Sequence, residues 1–247
     1  MNAPRGPARR SHRAAVGFPP ASRYGFGVAP TNPWCLVSAA EYEEYMGEGG
    51  VGEAAPLAAI FGKVYAARRP WRLAVAGAAT GGGLEHVDPY LTRRTVALEV
   101  NLSFLAVARQ RHMRLGSSLE LLCASVEQAD PGAEQFELVH APLALERADV
   151  RVAIPRMASW LSPGGALTVV LHLPGGPAPP ESPHPPVRAL AAATRLVPPA
   201  ALRRLAAESG LEERRAFVVP LPSGRRLFAA LYERPTSGPE GGWRVLS

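Results

Sequence analysis

A regular pattern of polar and apolar positions begins after residue 33. Ala39–Met46 mixes Glu and Tyr with small residues and predicts a short helix, which Glu48-Gly49-Gly50 breaks. From about Glu53 to Arg68 the apolar positions Leu57, Ile60, Phe61, Val64 and Tyr65 recur at helical spacing, and Pro70 ends the run. Beyond it, short apolar runs alternate with helical ones. Arg72–Ala76, Thr95–Val100, Ser118–Ala124, Phe136–His140 and Ala166–Leu173 predict strands. Leu84–Leu91, Leu102–Met113 and Val150–Leu161 predict helices between them. Strands alternating with helices of this length mean a parallel sheet with crossover helices. A further helix at about Pro199–Ser209 stops at Gly210. Glu213–Pro220 and Arg225–Glu233 then flank Leu221-Pro222-Ser223-Gly224 and predict an antiparallel hairpin. The expected fold is a doubly wound α/β sheet, mostly parallel, of seven strands ending in that hairpin.

Composition changes this picture mainly at the ends. Residues 1–30 hold Arg5, Arg9, Arg10, Arg13 and Arg23, no acid, and much Pro and Gly, so a disordered basic tail is expected. The apolar stretch Ala14–Phe18 after Arg9-Arg10 is too short for a signal-peptide core. Residues 235–247 read as a flexible C-terminal tail. One domain at 31–234 remains, with N-terminal helices at about 39–69. The net charge of +6 falls to +1 once the five arginines of the tail are set aside. A nearly neutral body argues against a nucleic-acid partner and for a small-molecule one. No apolar run approaches the length of a membrane span. Cys35 and Cys123 stand outside any metal-like spacing, so no metal site and a reducing, cytoplasmic setting are expected. Seven prolines in 174–186 exclude regular structure there and predict a loop over one end of the sheet, either a lid with substrate contacts or an exposed linker.

Candidate chemistry concentrates where the first strand ends. Val75-Ala76-Gly77-Ala78-Ala79-Thr80-Gly81-Gly82-Gly83 is a tight Gly-rich turn. Such a turn lets a ligand approach main-chain N–H groups at a helix start. Glu99 ends the second strand, 22 residues after Gly77, the spacing at which a carboxylate reaches the hydroxyls of an adenosine ribose. Turn and acid together point to a nucleoside-containing cofactor. Gly77-x-Ala79-x-x-Gly82 also reads as a relaxed dinucleotide fingerprint, which keeps a nicotinamide cofactor open.

With these residues the chain resembles the class I S-adenosylmethionine-dependent methyltransferases over roughly residues 70–233. Gly77, Ala79 and Gly81 fall on the family's glycine motif, and Glu99 on the acid that grips the ribose. Cys123-Ala124-Ser125-Val126 falls on the segment that lies against adenine, and Glu137–Ala141 on the fourth-strand motif. Leu161-Ser162-Pro163-Gly164-Gly165 resembles the turn before the fifth strand, and Tyr42–Met46 with Val51-Gly52 an N-terminal helix packed over the cofactor. The resemblance implies a Rossmann-like domain, S-adenosyl-L-methionine as cofactor, and Gly77, Ala79, Gly81, Glu99, Ser125, Val126 and His140 as its contacts. It implies methyl transfer to an unidentified small molecule and singles out no catalytic residue, since transfer from a sulfonium needs mainly alignment. Val75 stands where the family has an acid, and Ala79 replaces a glycine. A non-catalytic cofactor-binding scaffold and an NAD(P)-dependent oxidoreductase are the alternatives.

Overall fold

The computed structural model describes residues 32–236. The tail expected at 1–30 and nearly all of the one expected at 235–247 lie outside the described residues. Seven strands form one sheet: β1 (Arg72–Ala76), β2 (Arg94–Glu99), β3 (Leu119–Cys123), β4 (Phe136–Pro142), β5 (Leu161–His172), β6 (Glu212–Pro220) and β7 (Arg226–Glu233). Their spatial order is β3-β2-β1-β4-β5-β7-β6. The first five pair in parallel, and β7 runs antiparallel to both β5 and β6. Six helices accompany them: α1 (Ala39–Met46), α2 (Ala54–Arg68), α3 (Leu102–Arg111), α4 (Val150–Ser159), α5 (Pro185–Ala193) and α6 (Pro199–Glu208). The architecture is the mostly parallel α/β sheet with a terminal hairpin that the alternating pattern predicts.

Successive side chains of a strand face opposite ways, so each strand feeds two cores. Ala74 and Ala76 of β1 join Ile154 and Met157 of α4 and Leu202 of α6. Leu73 and Val75 join Phe61, Val64 and Tyr65 of α2. Both faces are covered, which explains why the parallel strands read as continuous apolar runs. No helix among the described residues is long and apolar enough to cross a membrane.

Three segments depart from expectation, each for a local reason. Leu84–Leu91 forms only one 3-10 turn, Leu84–His86. Pro89 disfavours a helical Asp88, whose carboxylate instead accepts from Tyr90 N at 2.8 Å. Ser162–Gly165 is not a free turn ahead of the fifth strand but a bulge inside β5. Phe136 pairs with Leu161 while Leu138 already pairs with Ala166. Gly164 N donates to Arg234 O and Arg234 N to Gly165 O, both at 2.8 Å, so the bulge is knitted to the chain after β7. Helix α5 begins within the Pro-rich stretch 174–186, where the sequence predicts no regular structure. Pro185 and Pro186 occupy its first turn, where a helix needs no N–H partner.

Candidate functional site

The site grows from the carboxyl ends of β1, β2 and β4. Gly77 N and Ala78 N both donate to Leu98 O at 2.9 Å, which hangs the turn on the end of β2. Gly77 has φ 74°, and a Cβ there would lie 3.0 Å from the Cβ of Ala144. Glycine therefore permits both the turn and the close approach of the loop after β4. Ala79 holds φ 46°, a left-handed conformation rare for a side-chain-bearing residue. Gly83 N donates to Glu85 Oε2 at 2.8 Å, so the acid after the turn satisfies a main-chain donor at its end.

Glu99 is buried at the end of β2. Its Oε2 accepts from Ala79 N at 3.0 Å, and its Oε1 from Val100 N at 2.8 Å and Asn101 N at 3.0 Å. A carboxylate has about four acceptor positions, so these three donors leave roughly one, on Oε2. Burial raises the pKa of Glu99, and the three N–H groups offset that rise only in part. Asn101 ties the upstream chain to this corner: its Nδ2 donates to Trp34 O at 2.7 Å and Val37 O at 2.8 Å. Trp34 packs edge-on against Tyr42 and Phe104.

His140, in register with Val75 of β1, packs against Phe61 with ring centroids 5.0 Å apart. Burial depresses its pKa to about 3, so the imidazole is neutral. Its Nδ1 is buried and has no hydrogen-bond partner among the described residues.

Gly77, Ala79, Glu99 and His140 line one cavity of about 610 Å³. Gly81 does not. It backs onto α3, where its carbonyl lies 2.8 Å from Nε2 of His112. Ser125 and Val126 do not either. Val126 is buried in the core beneath the sheet, and Ser125 O accepts from Gln128 N and Ala129 N. The edge of the cleft beside β3 holds the chain's own turn Pro33–Leu36: Cys35 and Cys123 both place Sγ within 3.6 Å of Val100 O. Glu137 of the fourth-strand motif lies away from the cavity, paired with Arg72 at 2.7 Å.

The cavity continues under α1, α5 and the Pro-rich loop, with Tyr42, Tyr45, Pro174–Pro179 and Leu190 in its wall. At its far end lies a buried ionic cluster that no sequence motif announced. His172 of β5 donates its main-chain N–H to Glu146 Oε1 at 2.6 Å, and its Nδ1 lies 2.8 Å from Glu146 Oε2. Its Nε2 lies 3.0 Å from Glu53 Oε2, and Glu53 Oε1 pairs with Arg225 at 2.5 Å. Burial opposes a charge on His172, but the hydrogen bonds it donates to the two carboxylates outweigh it and push its pKa up to about 9. These residues come from four separate segments, so no local spacing signals them. Among the described residues no group of His, Cys, Asp or Glu is placed to hold a metal ion.

Residues 75–165 match a family model described as a methyltransferase domain. No curated protein matches the chain by sequence. Solved structures share the fold at low identity. The N-methyltransferase NodS from Bradyrhizobium japonicum, in complex with S-adenosyl-L-homocysteine, is 19% identical, with 84% of this chain and 94% of that chain covered and a TM-score of 0.55. Magnesium protoporphyrin IX methyltransferase from Synechocystis, with bound S-adenosylmethionine, is 11% identical, with 79% and 90% covered and a TM-score of 0.58. The cyclase SpnF is 15% identical, with 73% and 81% covered and a TM-score of 0.59. Residues 75–165 are thus similar to a methyltransferase domain, and in sheet topology the chain is similar to solved methyltransferase structures.

Proposed function

We propose that the chain binds S-adenosylmethionine in the cavity and transfers its methyl group to a small-molecule acceptor. One observation carries this reading. A single cavity holds the Gly77–Thr80 turn, Glu99 and His140 at the carboxyl edge of the parallel strands, then runs on into a chamber under α1 and α5. Ligands of open α/β sheets bind at that edge, and about 610 Å³ falls within the roughly 300–1,000 Å³ of small-molecule sites.

The chain's residues fit the cofactor as follows. Gly77, Ala78 and Ala79 bond their N–H groups within the protein, so the turn offers the cofactor mainly a close main-chain approach, and Glu99 offers its remaining acceptor position to a ribose hydroxyl. A grip on both hydroxyls requires Ala79 N to release Oε2. His140 stands beside Val75, where the family resemblance implies an acid, and its neutral ring lines the cavity. Gly81 shapes the turn from behind, and contacts from Ser125 or Val126 require the Pro33–Leu36 turn to shift. Bound there, the cofactor supplies a methyl on a positively charged sulfonium, and the walls need mainly to align the acceptor with it. The free thiols of Cys35 and Cys123 suit a reducing cytoplasm.

Calorimetric titration tests the reading. S-adenosylmethionine and S-adenosylhomocysteine are expected to bind in the micromolar range and NADH not at all. Glu99→Ala is expected to weaken both by roughly tenfold or more, since a hydrogen bond to a charged group contributes about 1.5–3 kcal/mol. Binding of NADH alone sinks the proposal. A non-catalytic scaffold is favoured by one observation, the commitment of Glu99 to three main-chain donors. Cofactor binding without turnover on a broad acceptor panel supports that second reading.

A further inference from the structure

We infer that Arg147 anchors a carboxylate carried by the methyl acceptor, an inference that rests on the methyltransferase reading above. Arg147 closes the 3-10 turn Ala144–Arg147 after β4 and lines the cavity. Its guanidinium stacks on the Trp34 ring, 4.2 Å from the centroid. Its one hydrogen bond among the described residues is weak, Nη2 to Thr194 Oγ1 at 3.3 Å. The other charged groups of the cavity wall are already engaged. Glu43 pairs with Arg111 at 2.6 Å, and Arg225 pairs with Glu53.

The carboxylates that act on Arg147 electrostatically include Glu146 and Glu99. Neither is free to pair with it. Both oxygens of Glu146 are held by His172, and Glu99 by its three main-chain donors. Arg147 lines the cavity and is solvent-accessible there, and desolvation of the rest of its guanidinium lowers its pKa below the ordinary arginine value. A guanidinium has five N–H donors in a planar fork that matches a carboxylate in bidentate fashion. Here most of that fork is unfilled, one face is covered by an indole, and Val187, Leu190 and Leu196 stand in the same cavity wall. That environment suits a carboxylic acid with an apolar body. Arg147 reaches Thr194, the residue that follows α5, and so faces the chamber under α1 and α5, which assigns it to the acceptor.

The test uses the full chain saturated with S-adenosylhomocysteine. Ligand-observed NMR measures binding of a panel of small carboxylic acids, each matched with its primary amide. Acids are expected to bind about tenfold to a hundredfold more tightly than their amides, the range of a charge-assisted hydrogen-bonded pair. Arg147→Met is expected to abolish that preference while S-adenosylhomocysteine affinity stays within about twofold. Arg147→Lys keeps the charge but not the fork, and is expected to retain only part of it, which holds the test open if the Met variant does not fold. Equal binding of acids and amides overturns the inference, as does a preference that survives in both variants. A tenfold loss of S-adenosylhomocysteine affinity in Arg147→Met overturns it too, since the guanidinium then serves the carboxylate of the donor. If the wild-type chain binds no S-adenosylhomocysteine, the methyltransferase reading fails first and removes the acceptor with it.

Discussion

Gly77 is a residue of the turn that tolerates little. Its φ of 74° lies in the left-handed region, which costs a side-chain-bearing residue about 1–2 kcal/mol. A Cβ would in addition press on Ala144 at 3.0 Å. Gly77→Ala is therefore expected to destabilise the fold by roughly 1–3 kcal/mol in urea unfolding and to push the Ala144–Arg147 turn outward. An unchanged midpoint would refute the strain argument. Ala79 already carries its strain at φ 46°. Ala79→Gly removes the penalty but loosens the unfolded chain, and the two effects nearly cancel, to within about 1 kcal/mol. A fall well beyond that would mean that the Ala79 methyl group packs as part of the wall.

At the scale of elements, the buried ionic cluster joins pieces that are remote in sequence. Glu53 precedes α2, Glu146 follows β4, His172 ends β5, and Arg225 sits in the β6–β7 turn. The folded pKa of His172 is raised, from 6.5 to about 9. A raised pKa contributes stability that is fully present below about 6.5 and is lost as pH climbs through about 9. Unfolding free energy should thus fall across that window by on the order of 3 kcal/mol, measured by denaturant titration at several pH values. His172→Gln should flatten this dependence. It should also destabilise the protein at pH 7 by about 3–5 kcal/mol, because two buried carboxylates lose their shared cation. A variant with the wild-type pH profile would show that the cluster does not titrate as a unit.

For the molecule as a whole, the consequence is a cavity that joins the sheet to its cover. Its floor is the carboxyl edge of β1, β2 and β4, and its roof is α1, α5 and the Pro-rich loop. His184, just before α5, ties that roof together by pairing with Glu44 of α1 at 2.9 Å. A ligand that touches floor and roof at once should stabilise the described domain cooperatively. S-adenosylhomocysteine at about 100 times its Kd should add about 2.7 kcal/mol, or roughly 5–10 °C in Tm for a domain of this size. A shift below about 1 °C at that saturation would mean that the cofactor also binds the unfolded chain or does not enter the cavity.

The strands β1 to β5, the hairpin and the Gly77–Gly83 turn follow from periodicity and turn chemistry, because those signals are local. Glu99 is equally legible, since one strand and one turn fix its distance from Gly77. The same local reasoning misses α5, because prolines stop a helix interior yet suit its first turn, and a count of prolines cannot tell the two apart. The family resemblance places Ser125 and Val126 at the cofactor, and over that edge packs the turn Pro33–Leu36 through contacts more than 60 residues apart in sequence, which local spacing does not reveal. The pairings of Glu53, Glu146, His172 and Arg225, and the unpaired fork of Arg147, depend on how four segments meet at one end of the sheet. The sequence by itself therefore determined the sheet and the Gly-rich turn at the end of its first strand. Only the tertiary structure decided which charges of the cavity wall neutralise one another and which one is left for a ligand, because charge pairing depends on distances in space and not on spacing along the chain.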